Sequence, residues 1–186
     1  MKVFFDSEFT GLHQKTTLIS IGLVAESGRE FYAEFVDYDE SQVDEFVSKH
    51  VLSGLRFGLD KDVGHTDSIN VEHFTMKGDS SLVKECLTQW LMQFDAPVEM
   101  WSDCLAYDWV LFCELFNGAM FIPPYIYYIP FDLSTLFKIK GIDPDIDREE
   151  FAQMRYGGPK HNAIWDARVI KACHEKLITQ GRQGNV

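Results

Sequence analysis

The sequence is short of positive charge. Its 186 residues include 17 lysines and arginines against 29 aspartates and glutamates, which gives a formal net charge of −12 at pH 7. This balance argues against a protein that coats nucleic acid through a broad basic face. It does not exclude an enzyme that binds one strand end through metal ions and a few local cations.

Long hydrophobic runs and paired cysteine motifs are also missing. No apolar run approaches the ~20 residues of a membrane span, and the N-terminus lacks a signal-peptide pattern. The four cysteines, Cys86, Cys104, Cys113 and Cys173, form no CxxC pair, and each lies in or beside an apolar segment. We therefore expect core thiols rather than disulfides, no contact with a membrane, and a cytoplasmic location.

What is present is ordinary for a globular protein, with 46% hydrophobic and 25% charged residues. The length predicts one domain over residues 1–186. Within it, residues 56–80 are polar, irregular and rich in glycine and aspartate, so this segment is predicted to be a long surface loop or insertion.

The pattern of hydrophobic residues predicts a mixed α/β fold. Five strands are expected, one ending near Glu8 and the others over residues 17–25, 29–36, 98–101 and 125–129. Helices are expected over residues 41–52, 81–94, 106–116, 133–139, 149–154 and 161–178. The first three strands follow one another so closely that they predict an antiparallel meander. We therefore predict a five-stranded mixed sheet, with parallel strands added to the meander and helices on both faces.

Two carboxylates stand at the end of the first strand. Asp6 and Glu8 follow an apolar run, and at spacing i, i+2 they project from the same face of a strand, about 7 Å apart. Like charges on a poorly solvated face repel each other and are costly to desolvate, so the pair favours a bound cation. Oxygen ligands favour Mg²⁺ or Mn²⁺ over zinc. The alternative is that the two residues only flank a turn at Thr10 and Gly11.

A histidine and an aspartate lie at the start of the last helix. His161 and Asp166 are five residues apart, which is about 140° around an ideal helix, so they would not share a face within it. If the break at residues 157–159 leaves His161 in the loop before the first turn, its side chain could reach the same site as Asp166. Taken alone, a histidine here is more often a capping or exposed residue than a base.

A further aspartate opens the helix over residues 106–116. Asp108 comes directly after a strand, and its plain role would be to cap the helix. Asp103, five residues earlier, competes with it for any role in a site.

Taken in order, these residues resemble the motifs of a known enzyme family. The segment Asp6-Ser7-Glu8-Phe9-Thr10-Gly11-Leu12 is similar to the first motif of the DEDDh 3′→5′ exonucleases, in the form found in oligoribonucleases. Ala106-Tyr107-Asp108 fits the second motif, which favours Asp108 over Asp103, and residues 161–167 fit the third. The resemblance covers nearly the whole chain and implies an RNase H-like fold.

A narrower resemblance concerns the strand Ile19-Ser20-Ile21-Gly22 and the pattern His-x-Ala-x-x-Asp-Ala-Arg from His161 to Arg168. Both are similar to the RNase AS-like exoribonucleases of bacteria and phages. This group implies a preference for polyadenylate.

The family resemblance implies a metal-dependent hydrolase that removes nucleoside 5′-monophosphates from single-stranded 3′ ends. Four carboxylates at one site are consistent with two Mg²⁺ or Mn²⁺ ions about 4 Å apart. The resemblance implies that Asp6, Glu8 and Asp166 hold one ion, that Asp6 bridges to the second, and that Asp108 helps through water. His161 is the expected general base, because imidazole titrates near working pH.

The residues expected to contact the strand end are Phe9, Thr10, Gly11, Leu12, Tyr107 and Lys160. Phe9 could stack on a base, as aromatic residues of single-strand binders do, whereas core packing is the alternative for Tyr107. Backbone groups of Thr10 and Gly11 could reach the 3′-hydroxyl or, on RNA, the 2′-hydroxyl. Lys160 could add local positive charge.

The partner is expected to be a single-stranded 3′ end, with RNA favoured over DNA. A single-stranded DNA exonuclease of the same family, an inactive nucleic-acid-binding module and a metal phosphohydrolase acting on small nucleotides are the alternatives. The four carboxylates and the histidine favour catalysis over binding alone. Most relatives are homodimers, so a homodimer is expected. The apolar segment from Phe121 to Tyr128 could form its interface, although a buried strand is the favoured interpretation of that segment.

Overall fold

A computed structural model describes residues 1–59, 64–65, 72–155 and 158–183 of the chain. The strands found in these residues are β1 (Lys2–Phe9), β2 (Leu18–Ala25), β3 (Glu30–Phe35), β4 (Gly64–His65), β5 (His73–Gly78), β6 (Glu99–Ser102) and β7 (Phe131–Asp132). The α-helices are α1 (Glu45–His50), α2 (Ser80–Leu91), α3 (Ala106–Leu115), α4 (Leu133–Ile139), α5 (Arg148–Ala152) and α6 (Ala163–Gln183). None of the described helices has the length and hydropathy needed to cross a bilayer.

The strands form one mixed sheet in the order β4-β5-β3-β2-β1-β6-β7. β1 pairs antiparallel with β2, and β2 pairs antiparallel with β3, so the predicted meander is confirmed. β6 adds parallel to β1, β7 adds parallel to β6, and β5 adds parallel to β3. β1 therefore lies inside the sheet, where a run of β-branched and aromatic residues can be buried on both faces.

One of the added strands, β5, corrects the prediction of a loop over residues 56–80. Residues 73–78 pair with β3 and are buried, with Phe74 3% and Met76 1% exposed. This strand was not predicted because a lysine, here Lys77, is ordinarily expected at the surface rather than in a buried strand. Lys77 is only 3% exposed, and its ammonium donates to the backbone oxygen of Gly58 at 2.8 Å. Residues 60–63 and 66–71 of the predicted loop lie outside the described residues.

The strand predicted over residues 125–129 was wrong. This segment makes a single bridge, between Ile126 and Val98, and it is not a buried strand, because Tyr128 is 69% exposed. Prolines at 123, 124 and 130 flank it and cannot donate the hydrogen bonds that would extend the pairing.

The alternation of side chains along β1 decides which helices cover each face of the sheet. Val3 and Phe5 pack in a cluster with residues of α2 and α3, whereas Phe4 packs with residues of α4 and α6. The prediction of helices on both faces is thus confirmed. Asp6 and Glu8 continue the series of Phe4, and so they face α6.

The position of α6 depends on a glycine in β2. Gly22 is the partner of Asp6 in the β1–β2 register. A Cβ atom built on Gly22 would lie 2.4 Å from the carbonyl carbon of Ala163 and 2.4 Å from the nitrogen of Ile164. The first turn of α6 therefore rests directly on the β2 backbone beside Asp6, at a distance that only glycine allows.

We predict that Gly22→Ala destabilises the protein by about 1–3 kcal/mol. The new methyl group would overlap backbone atoms of Ala163 and Ile164, which, unlike a side chain, cannot rotate away. The free energy of unfolding, measured with urea, checks this. Gly54→Ala is the matched control, since nothing lies within 4 Å of the Cβ position there. Equal effects of the two substitutions would contradict the close approach of α6 to β2.

Candidate active site

Three carboxylates meet where the end of β1 faces the first turns of α6. Asp6, Glu8 and Asp166 each offer one oxygen, and these oxygens lie within 4.8 Å of one another. Each of the three side chains is half-buried. The structure thus brings Asp166 together with two carboxylates that precede it by 160 and 158 positions in the chain.

The electrostatics of this cluster are unfavourable without a cation. Burial, together with the charges of Asp108, Asp166 and Glu8, raises the pKa of Asp6 well above its ordinary value. Burial, with the charges of Asp166 and Asp108, raises the pKa of Glu8 to about 8. Burial also raises the pKa of Asp166 to about 6, although a backbone N–H bond from Asn162 opposes the shift. Three oxygen ligands with this excess of negative charge fit a hard divalent cation such as Mg²⁺ or Mn²⁺.

Asp108 lies beside this cluster and is held by Ser7. Its Oδ1 accepts hydrogen bonds from the backbone N–H of Ser7 at 2.9 Å and from the Ser7 hydroxyl at 2.6 Å. These bonds lower the pKa of Asp108, but burial outweighs them and raises it to about 6. The N-cap residue of α3 is Leu105, which makes no side-chain cap, so Asp108 is bonded to β1 instead of capping its helix. Sequence reasoning missed Ser7, whose position between two carboxylates on a strand was the available signal.

The competing aspartate is engaged elsewhere. Asp103 forms an ion pair with Arg148, with Nε to Oδ2 at 2.7 Å, and accepts a hydrogen bond from the Ser134 hydroxyl at 2.6 Å. This geometry favours Asp108 as the middle carboxylate of the site.

His161 lies in the loop before α6, because the helix begins only at Ala163. Its backbone has φ of 58°, in the left-handed region. Its exposed ring contacts the edge of Phe46, with centroids 5.3 Å apart, and lies 6.0 Å from the ring of His50. Partial burial and the nearby charges of His50 and Lys160 lower the pKa of His161, so the neutral imidazole predominates at pH 7. Phe46 and His50 were not recognised from the sequence, since nothing in α1 marks it as a neighbour of residue 161.

Asn162 connects this loop to the cluster. Its side chain accepts a hydrogen bond from the Trp165 N–H at 3.2 Å and donates to the Gly54 oxygen at 3.3 Å. Its backbone N–H donates to Asp166 Oδ2 at 3.2 Å. A single buried residue therefore caps α6, orients Asp166 and ties the His161 loop to the segment after α1.

Two of the residues predicted to contact the nucleic-acid 3′ end form a contact with each other at the edge of the site. The rings of Phe9 and Tyr107 stack with centroids 5.5 Å apart and an interplanar angle of 23°. Both are partly exposed, and they follow Glu8 and precede Asp108, respectively. Leu12 is 79% exposed nearby in the chain.

The other residues predicted to contact the nucleic-acid 3′ end have partners within the protein. Thr10 is 1% exposed, and its hydroxyl donates to Gln42 Oε1 at 2.6 Å, while the Gly11 N–H donates to Thr16 Oγ1 at 3.0 Å. Lys160 lies 3.8 Å from a carboxylate oxygen of Asp147. Thr10 and Gly11 thus build the loop after β1, and a contact between these residues and substrate stays a prediction.

The comparison with protein-family models decides the family. Residues 1–178 match the model described as the 3′-5′ exoribonuclease Rv2179c-like domain. The chain belongs to this family. Two curated relatives, the 3′-5′ exoribonucleases Rv2179c and MT2234.1 of two Mycobacterium tuberculosis strains, are each 28% identical to it over 144 residues, which is 76% of this chain and 76% of each relative.

Solved structures show the fold of this exoribonuclease-family chain. It resembles S. pombe Pop2p in its Mg²⁺- and Mn²⁺-bound form with a TM-score of 0.63 and 16% identity, over 100% of this chain and 85% of that chain. It also resembles the catalytic unit of Neurospora crassa Pan2 with a TM-score of 0.55 and 13% identity, over 98% of this chain and 28% of that one. The predicted RNase H-like fold is confirmed.

The raised carboxylate pKa values predict how pH affects the metal-free protein. A carboxyl group whose pKa is higher folded than unfolded binds its proton more tightly in the folded state, so the free energy of unfolding falls as pH rises from about 4 to 8. Mn²⁺ should reverse this loss at pH 8 by binding the folded state alone. Asp6→Asn should weaken the pH dependence and remove most of the response to Mn²⁺.

Thermal unfolding in EDTA and in Mn²⁺ at several pH values provides the measurement. Asp95→Asn, which changes one exposed carboxylate by the same charge, is the control. A wild-type protein that gains no stability from Mn²⁺ would rule out the carboxylate cluster as a metal site.

Proposed function

We propose that this protein is a divalent-metal-dependent 3′→5′ exoribonuclease that removes nucleoside 5′-monophosphates from single-stranded RNA ends. The observation that carries the proposal is the convergence of Asp6, Glu8 and Asp166 within 4.8 Å, in a chain of an exoribonuclease family. Within that family we propose the RNase AS-like group, with its preference for polyadenylate, on the motifs of β2 and α6.

The three clustered carboxylates would hold Mg²⁺ or Mn²⁺. We propose two ions per site, which Asp6, Glu8 and Asp166 would hold, with Asp108 beside them. When bound, such ions acidify water and stabilise the negative charge of the leaving 3′-oxygen. The Mg²⁺- and Mn²⁺-bound form of Pop2p, which shares the fold, is consistent with this choice of metals.

The remaining groups of the chain would position and deprotonate the reactants. His161, neutral at pH 7, accepts the proton of the attacking water as general base. Ser7 keeps Asp108 at the edge of β1 through its two hydrogen bonds. The stacked rings of Phe9 and Tyr107 offer a flat apolar surface to a nucleobase.

We also propose a homodimer. Met120, Phe121 and Tyr128 are 90%, 70% and 69% exposed, so this segment presents a surface of large apolar side chains. In the proposed dimer, this apolar surface would be buried against the same surface of a second copy. A monomeric mass in light scattering would exclude the homodimer.

A single domain over residues 1–186 and a cytoplasmic location remain predictions. The four free thiols are consistent with a reducing compartment.

We expect stepwise shortening of 5′-labelled single-stranded RNA in the presence of Mn²⁺ or Mg²⁺. The ladder should vanish in EDTA and in the Asp6→Asn variant, and Asp95→Asn should cleave like the wild type. A matched DNA strand and an adenylate tract in the same assay test the polymer and the base. A ladder on DNA alone would establish the DNA exonuclease alternative. Metal binding without cleavage of either polymer would contradict the proposal and favour an inactive nucleic-acid-binding module.

His161→Gly should lower kcat by about 10²–10⁴-fold, because the general base is lost. Glycine suits this position because φ is 58°, so the loop should keep its conformation. In the wild type, kcat should fall as pH drops below the lowered pKa of His161, and this acid limb should disappear in the variant. Added imidazole should restore part of the activity. Normal stabilisation by Mn²⁺ would show an intact metal site, and an unchanged kcat would exclude His161 as the base.

A further inference from the structure

A groove with a volume of about 910 Å³ lies on the α2 and α3 side of the sheet. Its walls come from the loop over residues 13–17, from Asp37 and Tyr38, from the start of α2 and from one face of α3. This volume is at the upper end of the range of ~300–1,000 Å³ that is typical of ligand sites. The cluster of Asp6, Glu8 and Asp166 is not part of its lining.

α3 joins this groove to the acidic site. Tyr107, Val110 and Glu114 line the groove, at the spacing of one helix face. Asp108, next to Tyr107, is buried against Ser7 of β1. The groove therefore begins at Tyr107, which precedes Asp108 in the chain and stacks on Phe9. From there it follows α3 for about 10 Å, as far as Glu114.

The loop between β1 and β2 contributes a wall that is fixed by hydrogen bonds. Thr16 accepts from the Gly11 N–H at 3.0 Å, and the Thr17 N–H donates to the Thr10 hydroxyl at 3.0 Å. The backbone N–H of Thr10 donates to the Thr17 oxygen at 3.0 Å. Because this loop is tied to β1 and β2 at several points, the groove is preformed and a ligand need not order it.

Two lysines give the groove its cationic groups. Lys15 and Lys84 line it, and in the part of the chain that the structure describes neither ammonium has a carboxylate partner within 4.0 Å. Of the two acidic residues in the lining, Asp37 accepts the Ser80 N–H at 3.0 Å, and Glu114 is exposed at the far end of α3. Unpaired ammonium groups beside an aromatic and apolar helix face are the combination that binds a single strand, phosphates to lysine and bases to rings.

We infer that this groove binds the single-stranded RNA upstream of the nucleotide being removed. The inference rests on the proposed function and adds a dependence on strand length: RNA long enough to fill the groove is bound more tightly than a dinucleotide. Continuity with the acidic site through Tyr107 and the two unpaired lysines favour this occupant over a separate small metabolite.

The test compares Lys15→Glu/Lys84→Glu with the wild type on a 5′-labelled RNA of about 12 nucleotides and on a dinucleotide. We expect the ratio of kcat/KM for the long RNA to kcat/KM for the dinucleotide to fall about tenfold. The dependence of log kcat/KM on log salt for the long RNA should become shallower by about 1.4, since each lost phosphate contact on a single strand contributes ~0.7. Lys138→Glu/Lys140→Glu, which reverses two exposed charges outside the groove, is the matched control and should change neither value.

The outcomes separate this inference from the proposed function. An unchanged ratio and salt dependence in the double variant, with the wild type active, would overturn the groove as the strand path and leave the nuclease assignment standing. A wild type inactive on both RNAs would be a failure of the proposed function. In that case equilibrium binding of the fluorescently labelled long RNA still tests the groove. Equal affinities of Lys15→Glu/Lys84→Glu and Lys138→Glu/Lys140→Glu would overturn it.

Discussion

The contact between Gly22 and the first turn of α6 is the constraint on which the rest of the site depends. A helix packed on a sheet is normally held away by the side chains of both, but here the backbone of Ala163 approaches the place that a Cβ of residue 22 would occupy. Gly22 is also the neighbour of Asp6 in the sheet, so the close approach brings Asp166 onto the face where β1 presents its carboxylates. A larger residue would push the helix outward and separate Asp166 from Asp6 and Glu8.

That arrangement gathers negative charge, and in the part of the chain that the structure describes none of Asp6, Glu8 and Asp166 forms an ion pair with a lysine or an arginine. The arginines nearest to the motifs are engaged in ion pairs: Arg168 with Glu30 at 2.6 Å, and Arg148 with Asp103 at 2.7 Å. These pairs hold α6 against β3 and α5 against the segment that follows β6. The carboxylates therefore keep their mutual repulsion in the folded chain, which also buries apolar residues of α6 against the same face of the sheet. A divalent cation bound at such a cluster would reverse the local potential, which would allow an acidic protein to bind a phosphate chain.

Much of this could be predicted from the sequence, because the relevant signals are local. The spacing of Asp6 and Glu8 on an apolar strand and the short links of the meander each depend on a few neighbouring residues. What failed depended on distant partners. β5 was missed because Lys77 is buried by a bond to Gly58, and the segment around Tyr128 was taken for a strand because its aromatic residues outweighed the flanking prolines. The bond from Ser7 to Asp108 crosses 101 positions, and no local pattern reports it.

The wide separation of Asp6 and Asp166 in the chain also has a consequence for biosynthesis. β1 leaves the ribosome well before α6, because Asp166 is made 158 residues after Glu8. Contacts this distant in sequence form late, because the loop between them must first be closed. A nascent chain therefore carries the two carboxylates of β1 without the helix that completes their cluster.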